Sequence, residues 1–104
     1  MQLLSIYSFY YLYLKMEKFV VFVRYCEDAI IKRETFREQH LKRLKNLIDR
    51  DILVTLGPTK CTKYLFGIFN ANDVNELKDL IEEDIYWQKD IWINYDIYPW
   101  IQAF

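Results

Sequence analysis

Between residues 18 and 98 the hydrophobic period switches from 2 to 3.6 and back, giving strand, helix, strand, strand, helix, strand in that order. No other property of the sequence narrows its fold as far. Residues 18–26 are β-branched and aromatic and read as a strand buried on both faces at its centre, Val20 to Val23. Glu27-Asp28 supplies a turn, with Asp28 placed to cap the helix that follows. That helix ends near Arg50, and residues 52–57 form a second strand closed by Gly57-Pro58. Residues 64–70, YLFGIFN, form the third, where Gly67 marks a bulge or a close approach to the backbone. Asn72-Asp73 caps a second helix with Val74, Leu77, Leu80 and Ile81 as its buried stripe. A short turn through Gln88-Lys89 leads to the fourth strand, residues 91–98. Short connections and right-handed crossovers close this order as an α+β, ferredoxin-like βαββαβ fold, a four-stranded antiparallel sheet with two helices on one face. Such a sheet leaves its other face bare, and its Tyr, Trp and Phe side chains suit burial against a second sheet, so a homodimer is expected.

A chain of 104 residues holds one domain with one modest core. An apolar content of 53% excludes a disordered chain, and a net charge of −1 exerts no general pull toward nucleic acid or membrane. The charge is segregated, however. Residues 32–50 carry seven Lys or Arg against three acids, and residues 73–96 eight acids against two Lys. Pairing between the two segments accounts for this more simply than a nucleic-acid face, since no basic run is interleaved with aromatics. Residues 1–15 are apolar and tyrosine-rich, too short to span a bilayer and without the marks of a signal peptide. They read as an extension outside the core domain of residues 16–104; the rival reading is an apolar arm that packs on a partner or a membrane surface. Cys26 and Cys61 are too few for a zinc site or a disulfide scaffold, so a reduced cytoplasmic setting is expected. Antiparallel pairing of the first and third strands would bring these two thiols toward each other.

The stretch 33–58, RETFREQHLKRLKNLIDRDILVTLGP, carries the candidate chemistry. On a continuous helix, Ile30, Phe36, Leu41, Leu44, Leu47 and Ile48 fall within one arc of about 140°. Arg33, Arg37 and His40 share that arc. Polar groups on a dry face need partners, because an unpaired buried charge is strongly disfavoured. At the end of the second helix, Glu82, Glu83 and Asp84 oppose the helix dipole, which asks for cations nearby.

The spacing Arg33, Arg37, His40, Leu41, Leu44, followed by a strand ending in Gly57-Pro58, resembles the YCII-related family of small α+β proteins. Asp84-Ile85-Tyr86 stands where that family has Asp-Pro-Tyr, and Pro99-Trp100 where it ends an aromatic strand. There are two departures. Asp51 occupies a position where the family favours Gly for a left-handed C-cap, and Ile85 replaces the proline, so the backbone after Asp84 loses a fixed φ. The resemblance implies a dimeric α+β barrel and a site built on His40 and Asp84.

Antiparallel helices bring the end of the second toward the early half of the first. A His beside a carboxylate in a partly dry cleft is an acid–base pair: the acid fixes the ring's tautomer, and the ring moves a proton. Arg33 and Arg37 would then hold an anionic substrate or steady an oxyanion, and Tyr86 would line the pocket. Against this, an isolated His on an apolar helix face also serves as a hydrogen-bonded core residue. Helix-edge arginines also pair with nearby acids such as Glu82, Glu83 or Asp84. Tyr86 also packs. No phosphate loop, HExxH, GxSxG or CxxC is present, and a single His argues against a catalytic metal, so no cofactor is expected. The expected function is a small-molecule enzyme of lyase or isomerase type, with a non-catalytic dimeric ligand-binding module as the alternative.

Overall fold

Alternating side chains build the sheet. In the computed structural model, which describes residues 16–104, β1 (Glu17–Tyr25) turns Phe19, Val21, Val23 and Tyr25 toward the helices, all buried. The apolar extension expected over residues 1–15 lies outside the described residues. The remaining elements are α1 (Ala29–Arg33), a 3₁₀ turn (Glu34–Phe36), α2 (Arg37–Asp49), β2 (Leu53–Pro58), β3 (Tyr64–Ala71), α3 (Val74–Glu82), α4 (Ile85–Gln88) and β4 (Trp92–Trp100). The strands lie in the order β2-β3-β1-β4 and every neighbouring pair is antiparallel. This is the ferredoxin-like α+β arrangement expected from the order of elements. Its core, centred on Phe19, Val21, Leu47, Leu65, Leu77 and Ile81, lies between the sheet and the helices. Among the described residues, no helix is long and apolar enough to cross a membrane.

Several local expectations need correction. The centre of β1 is covered on both faces only in part: Val20, Val21 and Val23 are buried, but Phe22, on the same face as Val20, stays 45% exposed. Asp28 precedes α1 with φ 58° and its side chain caps nothing. The first helix is not continuous either. Each residue of a 3₁₀ turn advances about 120° instead of about 100°, so three of them rotate the next segment's face by roughly 60°. The dry face becomes Ala29, His40, Leu44 and Leu47, while Ile30, Leu41 and Ile48 turn outward. The turn expected at Gln88-Lys89 contains a short helix, α4, that hydrophobic periodicity over four residues cannot reveal.

Other expectations match. Asp73 caps α3, its carboxylate accepting the Glu76 N–H at 2.8 Å, while Glu76 accepts the Asn72 N–H at 3.3 Å. Leu77 and Ile81 are buried, and Val74 and Leu80 half-buried beside them. Gly67 is a close approach: a Cβ there would stand 3.0 Å from the Phe69 ring and 3.3 Å from Leu56 Cδ1. The sheet irregularities fall on β2, between Leu53 and Thr55, and on β1 where it pairs with β4, between Arg24 and Tyr25. Asp51 takes φ 59°, the left-handed conformation for which a glycine is favoured. Tyr25 N–H donates to the Lys63 carbonyl at 2.9 Å, so the end of β1 does meet the start of β3. Cys26 and Cys61, both free thiols, line one open groove of about 760 Å³ there.

Candidate functional site

His40 sits one turn into α2 on its dry face and is 3% exposed. Asp84, 0% exposed, sits not at an unfavourable helix C-terminus but at the N-cap of α4, with φ −67° and ψ 137°. Extended backbone there lets the carboxylate turn back onto its own helix, and Oδ1 accepts the Tyr86 N–H at 2.9 Å. Position 84 therefore holds its conformation without the proline that the family pattern would place after it. The same Oδ1 lies 2.8 Å from His40 Nδ1. Oδ2 accepts from Arg43 Nη1 at 3.0 Å, and Arg43 Nη2 donates to the Leu80 carbonyl at 2.7 Å. Only a carboxylate accepts from all three donors, so Nδ1 of His40 carries the hydrogen and Nε2 is left for a guest.

Aromatic rings fix the imidazole from two sides. Tyr86, 2% exposed, stacks on it with centroids 3.7 Å apart and planes at 11°. Trp92 meets it edge-on at 5.3 Å. Burial pushes the Tyr86 phenol up from 10.0 to about 12, against the pull of the Arg33 guanidinium. Burial likewise raises Tyr25, with the Trp92 indole and Arg33 acting the other way. Both hydroxyls stay protonated near neutral pH.

A cavity of about 150 Å³ opens beside this cluster, lined by His40, Tyr86, Tyr25, Arg33, Arg37 and Leu56 among others. Sequence reasoning had singled out His40, Asp84, Tyr86, Arg33 and Arg37, and the structure brings all five to this region. It separates their tasks, though. Among the described residues, Asp84 and Glu83 pair with Arg43, the first by a direct bond and the second at 3.8 Å, and not with Arg33 or Arg37. Arg43 was missed. Its signal was available, since it lies one helical turn after His40 at i+3. Tyr25 and Trp92 were also missed, and they reach the site only through the pairing of β1 with β4. His40 Nδ1 and both Asp84 oxygens are engaged, and among the described residues no group of three potential metal ligands gathers.

A profile described as the YCII-related domain matches residues 17–101. No curated protein matches the chain. Among solved structures it is similar to 5-chloro-2-hydroxyhydroquinone dehydrochlorinase (TftG) from Burkholderia phenoliruptrix AC1100, in complex with 2,5-dihydroxybenzoquinone. The identity is 18% and the TM-score 0.72, covering 83% of this chain and 95% of that one. At that identity the likeness speaks to the fold.

Proposed function

The chain belongs to the YCII-related domain family, and from that membership and the His40–Asp84 pair we propose that it is a small-molecule enzyme of lyase or isomerase type. Nε2 of His40 takes a proton from the bound molecule. The electron pair released either expels a leaving group, as in elimination, or shifts a double bond and is reprotonated, as in isomerisation. Asp84 holds the ring in the tautomer that leaves Nε2 basic and supports the positive charge it gains. Arg33, Arg37 and Tyr86 hold the guest against it. The solved relative named above removes chloride from a hydroxylated ring, a reaction of this elimination class.

The observation that carries this reading is the 2.8 Å contact between His40 and Asp84 at the edge of a cavity. Purified protein and His40→Ala are to be assayed against halogenated quinols, lactones and enolisable acids, with turnover followed by halide release or ultraviolet absorbance. Turnover in the native chain that His40→Ala abolishes supports the proposal; turnover that persists removes His40 from the reaction. The alternative, a non-catalytic module binding a small ligand in the same cavity, is favoured by the 3% exposure of His40, which leaves little of the ring to a reactant. Saturable binding without turnover would select it. In either case the assembly proposed is a cytoplasmic homodimer closed over the open face of the sheet, where Phe22 packs edge-on against Phe66 and Tyr98.

A further inference from the structure

Arg33 and Arg37 line the cavity beside His40, and among the described residues no carboxylate pairs with either. Arg33 Nε is buried and makes no hydrogen bond. A partly desolvated guanidinium with one N–H unpartnered is costly unless something supplies its counter-charge. The protein does not supply it. Asp84 is already spent on His40, Arg43 and the Tyr86 N–H. Glu34 and Glu38 flank the arginines along the chain but point into water and reach neither. The two phenols at the cavity, Tyr25 and Tyr86, are both raised by burial and remain neutral. The guanidinium groups of Arg33 and Arg37 thus line the cavity with no carboxylate paired to them, while Arg43 is taken up by Asp84 and Glu83.

Size sets a second limit. The cavity measures about 150 Å³. An apolar protein cavity of about that volume holds one benzene molecule, and pockets for drug-sized ligands start at about 300 Å³. We propose that the guest of this site is a small organic oxyanion, a carboxylate or acidic enolate of at most one ring, whose charged oxygens are gripped by Arg33 and Arg37 while its body lies against Leu56 and Tyr86. This deepens the reading of the cavity as the functional site, and it does not depend on catalysis there. Forked guanidinium donors suit the two oxygens of a carboxylate, and the aromatic and aliphatic wall suits a planar carbon skeleton.

The test uses two anions, benzoate and maleate, with their neutral analogues benzamide and maleamide. Binding is measured by titration calorimetry, and its place is read from the imidazole resonances of the single histidine in the chain. At least one anion binds saturably and shifts His40, with its neutral analogue at least about tenfold weaker. Arg37→Met, a change at an exposed side chain, weakens anion binding about ten- to a hundredfold and leaves the amide unchanged. Arg33→Met does the same, and added salt weakens the anion alone. Failure of both anions to bind, equal binding of amide and anion, or an affinity untouched by both arginine substitutions would overturn the proposal. An anion held through Arg37 in a protein that turns over nothing would support this inference while ending the enzymatic one.

Discussion

His40 and Asp84, 44 positions apart in the chain, meet through Nδ1 and Oδ1 at 2.8 Å with both side chains shut off from water. The bond sets which ring nitrogen is left basic. In Asp84→Asn the single amide oxygen cannot serve all three donors, and the ring takes up a mixture of tautomers. Nitrogen-15 shifts of this one imidazole distinguish the two forms, with Nδ1–H dominant in the native chain and Nε2–H appearing in the variant. For a substrate turned over at Nε2, kcat falls by about 10² to 10⁴.

Arg43 and Arg33 are both half-buried arginines near the site, yet their removal has unequal consequences. Arg43→Met leaves the fully buried Asp84 carboxylate short of its cation and destabilises the fold by about 3 kcal/mol. Arg33→Met breaks no ion pair and costs less than about 1 kcal/mol. Urea denaturation of the two variants checks the contrast, and equal losses would contradict it.

Alkaline pH acts through the tyrosines. The Tyr86 phenol ionises near 10.0 when unfolded and at about 12 in the fold, so the folded state binds more protons across that interval. Stability tied to this group is complete below pH 10 and is lost as pH climbs toward 12. Tyr86→Phe, which keeps the stacked ring, flattens that part of the stability profile. Absorbance near 295 nm should show several late-ionising tyrosines in the native chain, Tyr25 among them, and one fewer in the variant.

Asp51 holds a left-handed φ of 59° immediately after the first long helix and its turn. Asp51→Gly removes the Cβ penalty and raises stability by up to about 1 kcal/mol, read as a shift in Tm.

On the open face of the sheet Phe22 lies 5.4 Å from Phe66 and 6.3 Å from Tyr98, ring centre to ring centre. Phe22→Glu places a charge in the middle of that cluster without touching the helix side of the sheet. Sedimentation velocity should show a dimer for the native chain and a monomer for the variant; an unchanged mass would place any interface elsewhere.

How much of this was legible beforehand depended on the range of the interaction. The strands, both long amphipathic segments and the Asp73 cap rest on neighbours within a few residues, and periodicity reveals them. The break at Glu34–Phe36 does not show in the pattern, because RETF suits an α-helix as well as a 3₁₀ turn, and it moved Ile30, Leu41 and Ile48 out of the core. The partnership of His40 with Asp84 was accessible through the family's motif order, not through local spacing. The choice of Arg43 over Arg33 and Arg37 as the partner of Asp84 depends on how α2 is rotated against the end of α3, and that rotation follows from the break.

One side chain at position 84 closes a helix, anchors an imidazole and neutralises a guanidinium. Glutamate would overshoot the cap by a methylene, and asparagine brings one oxygen where two are needed. A chain of this fold with no reaction to perform would still need this aspartate simply to remain folded. Its presence in a distant cousin is therefore a marker of architecture first, and says little about chemistry by itself.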